Sequence, residues 1–266
     1  MQKAFASFDY GACRVVVTGA SGGLGAAIAT AFAEAGASVA FHYRSGRDRA
    51  EAVIAALPHP ERHLAVGAEA TSEAEVARAA GLVREWAGDE GLDALVNNAG
   101  SYPSAPLLEL GAAAFSGVVD SSLLAAHLFT RALAPLMAPG SAIVNVASIE
   151  AHRPARGHAH YAAAKAALVQ YTRSCARELS GLGIRANCLS PGLVWRDGLP
   201  DSWSSGYEAW MSACPAGRAG LPGEIASACL FLASGAASFV NGAELVVDGG
   251  ALCVSPQDPA TWSAAR

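Results

Sequence analysis

The sequence predicts an α/β fold. It reads as one doubly wound domain whose parallel sheet of seven strands runs in an order near 3-2-1-4-5-6-7, with helices on both faces. Three observations predict it. Short apolar runs alternate with longer Ala-rich stretches along the chain. Runs such as "RVVVT" and "AIVNVA" are almost wholly apolar, as expected of strands covered on both faces. A glycine-rich stretch, "TGASGGLG", follows the first run and opens a helix.

The strands are expected at Arg14–Thr18, Ser38–Tyr43, His63–Gly67, Ala94–Asn97, Ala142–Ala147, Ile184–Leu189 and Glu244–Val247. Between them, Ala-rich stretches near 23–35, 47–57, 72–87, 112–138, 160–180 and 223–233 are long enough for helices. No interior linker or low-complexity segment breaks this order, so residues 1–266 read as a single dinucleotide-binding catalytic domain. Segment 193–221 is rich in Trp, Gly and Pro and interrupts the alternation, as a lid inserted over the sheet's edge would. Residues 254–266 have no periodicity and read as an irregular tail.

Composition narrows the function classes. Apolar residues make up 52% and charged ones 15% of 266 residues, which points to a well-buried globule. A net charge of -5 without a Lys/Arg cluster argues against a nucleic-acid partner. No run is read as a membrane span, and "MQKAFASFDYGACR" lacks the continuous apolar stretch of a signal peptide. A cytoplasmic protein acting on a small molecule, away from membranes, is expected. The six cysteines have no C-x-x-C spacing and read as reduced, mostly buried residues. The seven histidines show no metal-binding spacing, so no metal is expected.

The glycine-rich stretch admits two chemistries. Gly19-Ala20-Ser21-Gly22-Gly23 fits G-x-S-x-G, the turn that presents a nucleophilic serine. That turn normally follows a central strand, whereas here it follows the first, and no HGGG-type segment accompanies it. The second chemistry is a phosphate cradle. Gly19 takes a tight turn, Gly23 lets the backbone approach a pyrophosphate, and Gly25 lets helix and strand pack closely. Free N–H groups at the helix start would meet the phosphates, with Ser21 as a further donor. Past the second strand, "VAFHYRSGR" puts Tyr43 where an acid would bind the ribose hydroxyls of NAD. Arg44, supported by Ser45, would suit a 2′-phosphate instead, so NADP(H) is preferred and NAD(H) remains possible. A solvated loop would also accommodate Arg44 and Arg47.

The reactive candidates come later. Tyr161 and Lys165 in "YAAAK" share a helix face. The lysine ammonium and the positive charge of an oxidised nicotinamide are expected to draw the phenol toward its working range. Ser148 ends the fifth strand, at the edge where open α/β sheets hold ligands, and could bind a carbonyl oxygen beside Tyr161.

Taken together, the chain resembles a classical short-chain dehydrogenase/reductase with a Rossmann fold, across residues 10 to 252. The motifs that carry this are Thr18-Gly19-x-x-x-Gly23-x-Gly25, Asn97-Asn98-Ala99-Gly100, and Ser148 thirteen residues before Tyr161-x-x-x-Lys165. Pro191-Gly192 and Val247-Asp248-Gly249-Gly250 also match. The resemblance implies hydride transfer between nicotinamide and a carbonyl or alcohol carbon. Tyr161 would be the proton donor, Ser148 the substrate-oxygen ligand, and Lys165 the ribose ligand and tyrosine activator. Cofactor contacts would come from Gly19, Ser21, Gly23, Leu24, Gly25, Arg44, Ser45, Glu69, Ala70, Asn97, Ala99, Gly100, Pro191, Gly192 and Val194, beside Tyr161 and Lys165. Such proteins are commonly homotetramers, or dimers, packed through the long helices at 112–138 and 160–180.

Three departures stand out. Ser122 occupies the place where the family usually has an Asn that holds a proton-relay water, and its reach is shorter. Glu69 replaces the common Asp near adenine, and Trp195 and Arg196 in "PGLVWRDGLP" follow Pro-Gly without the usual Thr. Trp195, Trp203, Tyr207 and Trp210 could wall a ring-shaped substrate or simply pack the lid. Glu150, His152, Arg153 and His158 are expected on the pocket rim. "VNNAGSYPSAPLLEL" and "GLVWRDGLPDSW" are similar to pteridine reductases, which generally carry Asp in place of Ser148, so ketone reduction is the leading expectation. The alternatives are a pteridine-type C=N reductase and a catalytically impaired dinucleotide-binding regulator.

Overall fold

A computed structural model of the chain describes residues 8–255. Its seven strands form one parallel sheet in the order β3-β2-β1-β4-β5-β6-β7. They are β1 (Arg14–Val17), β2 (Ser38–Tyr43), β3 (Leu64–Gly67), β4 (Leu92–Asn97), β5 (Met137–Val146), β6 (Arg185–Pro191) and β7 (Glu244–Val247). The helices are α1 (Gly23–Glu34), α2 (Arg47–Ala55), α3 (Glu73–Ala87), α4 (Ala112–Val119), α5 (Ala125–Leu133), α6 (Ala159–Leu179), α7 (Leu199–Ser202), α8 (Ser204–Ala213) and α9 (Pro222–Ala233).

The apolar strands alternate strictly between two cores. Val15 and Val17 of β1, Phe41 of β2 and Val144 of β5 pack with Ile28 and Phe32 of α1 and Ile225 of α9. Val16, Leu95 and Ile143 point the other way, to Val83 of α3, Phe129 and Leu133 of α5, and Cys175 of α6. Period-2 strands buried on both faces need apolar residues at every position, and "RVVV" supplies them. Parallel pairing (Val15 with Val39, Val17 with Val96, Val144 with Asn187) brings the C-terminal ends of all the strands to one edge. That edge carries the site.

Local chemistry sets the helix boundaries. Ser72 caps α3, accepting from the Glu75 N–H at 3.4 Å. Pro222 starts α9, with Glu224 accepting from the Leu221 N–H at 2.7 Å. The helix expected to run continuously over 112–138 is broken twice. A π-helical turn, Asp120–Leu124, separates α4 from α5. After Leu133 the chain tightens into a 3-10 turn, Ala134–Leu136, because Pro135 has no N–H for an α-helical bond, and Met137 already belongs to β5.

The 25-residue run Ala112–Leu136 holds an 18-residue window with a mean hydropathy of 1.4 and is long and apolar enough to cross a bilayer by length and composition. The expectation of no such run is corrected here. One face of it is taken by the protein, with Val118, Ala125, Phe129 and Leu133 buried. Segment 193–221 holds α7 and α8 and is closed at its base by a bridge between Val194 and Gly220. Of the expected irregular tail, all but Val254 and Ser255 lies outside the described residues.

Candidate active site

The turn after β1 is held from three sides. Thr18 Oγ1 accepts from the N–H groups of Asn98 (2.9 Å) and Ala99 (3.0 Å) at the end of β4. Asn98 Nδ2 donates back to the carbonyls of Thr18 (3.0 Å) and Gly19 (3.4 Å). From β2, His42 Nδ1 accepts from the Gly19 N–H at 3.2 Å, while Nε2 donates to the Ala68 carbonyl at 3.0 Å. This pattern requires the neutral tautomer protonated on Nε2, and burial pushes the His42 pKa down in agreement.

The glycines of the turn divide by purpose. Gly19 has φ +68°, which a side chain would strain. A Cβ on Gly25 would sit 2.2 Å from the Gly19 carbonyl oxygen and 2.5 Å from Asn98 Nδ2, so only glycine lets α1 approach the turn. At Gly22 and Gly23 a Cβ would meet nothing within 4 Å. Both are exposed, where α1 begins without a side-chain cap. An open backbone with unpaired helix N–H groups fits a pyrophosphate. The same geometry disposes of the nucleophile reading of Ser21. Its Oγ lies beside Gly46, 2.9 Å from where a Cβ would stand, and pairs with no histidine among the described residues.

At the ribose end, the two loop arginines separate. Arg47 pairs with Glu51 at 2.8 Å along α2. Arg44 and Ser45 are exposed, and Arg44 makes no hydrogen bond or ion pair among the described residues. Arg49 also reaches this corner, with Nη2 2.8 Å from the Cβ position of Gly46. Glu69 follows β3 half-buried, its Oε1 accepting from the Thr71 N–H (3.2 Å) and hydroxyl (3.0 Å), and Ala70 is buried next to it. The loop at Gly46 and the end of β3 thus flank the turn on the side where an adenosine would lie.

The reactive residues gather at the ends of β5 and α6. Lys165 is buried and donates to the Val146 carbonyl at 2.7 Å, with its Nζ 5.5 Å from the Tyr161 ring centroid. Desolvation pushes its pKa down to about 8. Tyr161 is pushed up to about 12, first by burial and then by the charge of Glu150, while a hydrogen bond from Ser148 pulls in the opposite direction. The expected lowering rests on the lysine ammonium together with the positive charge that an oxidised nicotinamide would bring; in the protein alone burial sets the direction. In this state Tyr161 holds its proton, as a donor must.

Ser122 lies on the π-helical turn, buried, with no hydrogen-bond partner for its Oγ among the described residues. The Cβ position of Gly100 is 3.3 Å from Ser122 Oγ and 3.8 Å from Lys165 Nζ, so both groups flank one backbone position. Pro191 ends β6, and Gly192 and Val194 follow it on the same edge, where a Cβ on Gly192 would collide with Asp248 (2.9 Å) and Trp210 (3.0 Å). Trp195 packs edge-on to Tyr207, with centroids 6.1 Å apart, inside the lid segment.

Asn97, expected to line the cofactor, turns its side chain into the core and donates to Thr130 Oγ1 (3.1 Å) and Asn145 Oδ1 (2.8 Å). Asn145 passes the chain on to Thr172 at 2.9 Å, so Asn97 braces β4 to β5, α5 and α6. Ala99 and Gly100 remain at the edge. Thr18, Asn98 and His42 are supporting residues to which the sequence reading gave no role. The first two sat inside the quoted motifs, and His42 is the single polar residue inside the buried part of β2, which was a usable signal.

Comparison with known proteins agrees with this geometry. The family model described as enoyl-(acyl carrier protein) reductase matches residues 19–251. A cis-4-hydroxycyclohexanecarboxylate dehydrogenase of Sinomonas cyclohexanicum is 42% identical over 244 residues, covering 88% of this chain and 94% of the relative. A 3-oxoacyl-[acyl-carrier-protein] reductase of Chlamydia pneumoniae is 34% identical over 245 residues, covering 89% and 96%. Among solved structures, a short chain dehydrogenase of Burkholderia cenocepacia in complex with NADP superposes with a TM-score of 0.83 at 32% identity, covering 90% of this chain and 98% of that one. With its sheet order, braced glycine turn and Ser–Tyr–Lys cluster in place, the chain belongs to the classical short-chain dehydrogenases/reductases and is an oxidoreductase.

Proposed function

We propose that the protein is an NADP(H)-dependent reductase acting between a carbonyl and an alcohol of a small substrate, with Tyr161 as general acid and base. The observation that carries the proposal is the convergence of Ser148, Tyr161 and Lys165 on the sheet edge that also carries the glycine turn. When bound, the cofactor supplies or accepts the hydride at the carbonyl carbon. Ser148 orients the carbonyl oxygen, and Tyr161 gives that oxygen its proton as the hydride arrives, so the carbonyl becomes an alcohol. Lys165, confined by the Val146 carbonyl, holds the cofactor's ribose and favours the phenolate that remains. Ser122 Oγ stands next to Lys165 across Gly100 and is the polar atom from which a proton could be returned.

Arg44 is the ligand for a 2′-phosphate, because it is exposed beside the turn and has no other partner among the described residues. The family's use of NAD(P)(H) and the NADP held by the Burkholderia relative support this choice. Six free thiols suit a reducing compartment, and we place the protein in the cytoplasm. Leu107 and Leu108, with Phe115 and Leu124 on α4 and the π-helical turn, are exposed, and they mark the helical face through which a homodimer or homotetramer would form. Light scattering on the purified protein should give a dimer or tetramer mass, and Phe115→Asp with Leu124→Asp should give a monomer.

The central test is NADPH oxidation against a panel of ketones, diketones, quinones and pterins. Tyr161→Phe should lower kcat by roughly 10²- to 10⁴-fold while still binding NADPH. Equal turnover by the mutant would refute the mechanism. NADPH binding without turnover of any panel member would favour a regulatory role.

A further inference from the structure

Glu150, His152, Arg153 and His158 follow Ser148 on the rim, and the structure separates these four into two pairs of roles. His152 Nε2 contacts Glu244 Oε1 at 2.8 Å, and Ser190 donates to the same oxygen at 2.6 Å, so this histidine ties the loop to β6 and β7. Arg153 donates to the carbonyls of Ala251 (3.0 Å) and Val254 (3.5 Å), holding the chain after β7. Both are occupied with the fold.

Glu150 and His158 are placed differently. His158 Nδ1 is 3.1 Å from both carboxylate oxygens, and the Ala155 N–H donates to Oε2 at 3.3 Å. Their side chains are only 19% and 21% exposed. The pair touches both reactive residues. The Glu150 N–H donates to Ser148 Oγ at 3.1 Å, and the His158 ring stands edge-on to the Tyr161 ring with centroids 5.9 Å apart. The Tyr102 ring also lies near Tyr161, with centroids 5.9 Å apart, and Lys165 Nζ lies 5.5 Å from the Tyr161 centroid.

We propose that the Glu150–His158 pair determines substrate class, selecting uncharged substrates with a hydroxyl next to the reacting carbon, such as α-hydroxy ketones and vicinal diols, over those with a carboxylate there. The proposal rests on the reductase reading of the site. A carboxylate has about four acceptor positions. His158 and Ala155 take part of this capacity, and what they leave is open to a substrate hydroxyl beside the carbonyl that Ser148 and Tyr161 would hold. A substrate carboxylate in that position would place two like charges together where little water screens them. The influence of Glu150 on the Tyr161 phenol shows that its charge is felt at the reacting group.

The test uses NADPH with acetoin, 2-butanone and pyruvate, on the wild type, Glu150→Gln and Glu150→Leu. The wild type should favour acetoin over 2-butanone by roughly ten- to a hundredfold in kcat/KM, the worth of one hydrogen bond to a charged acceptor. Pyruvate should be the poorest of the three. Glu150→Leu should erase the preference for acetoin, and Glu150→Gln should raise pyruvate relative to acetoin by about tenfold. Ratios that stay the same in all three proteins would overturn the proposal. A second readout does not depend on substrate choice. In protein labelled with carbon-13 at tyrosine Cζ, with NADP bound, the Tyr161 titration (assigned with Tyr161→Phe) should move to lower pH in Glu150→Gln. An unmoved midpoint overturns the role of Glu150 even if none of the three carbonyls is reduced. Failure of the reductase reading shows separately, as absence of turnover across the wider carbonyl panel.

Discussion

The glycine turn and the reactive cluster share one edge of one sheet, yet they are built in opposite ways. Around the turn, Thr18, Asn98 and His42 all find partners, and His42 uses both ring nitrogens as a neutral brace. In the cluster, a buried ammonium rests on a single carbonyl, a phenol is pushed up to about 12, and Ser122 Oγ has no partner among the described residues. The turn is finished before any ligand arrives. The cluster is left electrostatically incomplete, which is how a site reserves its strongest interactions for what binds there.

The sharpest way to probe that contrast is to remove the lysine. Lys165→Met should lower turnover by roughly a hundredfold or more. It should also stabilise the fold at neutral pH, because a buried charge is removed. Lys165 falls from 10.5 to about 8 on folding, so between those values the unfolded chain holds the extra proton. Stability of the wild type therefore rises with pH from about 8 to 10.5, by about 3 kcal/mol, and the full penalty is present below that window. The Val146 carbonyl loses its donor in the variant, which leaves a net gain of about 1–2 kcal/mol. Thermal melts of both proteins across pH 7 to 10.5 check this, and a variant that is less stable at pH 7 would place the strain elsewhere.

On the turn, the outcome should reverse. Gly25→Ala forces a Cβ to 2.2 Å from the Gly19 carbonyl, so it should destabilise by about 1–3 kcal/mol and weaken NADPH binding together. Gly22→Ala, three residues earlier, has open space around it and extended backbone, and its melting temperature should be nearly that of the wild type. Titration calorimetry and melts on the pair separate a close-packing glycine from one needed only for ligand access. Equal effects would mean that the turn is not braced as described.

This contrast also explains what was legible in the sequence. The sheet order and the bounds of β2 follow from runs of apolar residues whose burial is a property of the strand itself, while β7, an edge strand with no buried residue, is marked by its β-branched composition alone. The helix of 112–138 looked continuous because composition cannot see the π-helical turn at Ser122, and Pro135 was not used to end it. The direction of Asn97 and the brace at His42 depend on which neighbours the sheet order brings alongside. The same holds for Tyr161, whose burial raises the phenol in a way that the nearness of Lys165 in sequence does not reveal.

The smallest expected effect concerns cofactor choice, at the border of the turn. Gly22 is uncharged, so discrimination for a 2′-phosphate falls on the loop after β2, where Arg44 is exposed and has no partner among the described residues and Arg47 is held by Glu51. Arg44→Ala should weaken NADPH about tenfold or somewhat more, the worth of a charge-assisted hydrogen bond near solvent, and leave NADH nearly unchanged. Arg47→Ala should do neither. Fluorescence titrations with both cofactors decide it. A parallel loss for NADPH and NADH in Arg44→Ala would shift the 2′-phosphate contact to Arg49, which already stands at Gly46 beside Ser21.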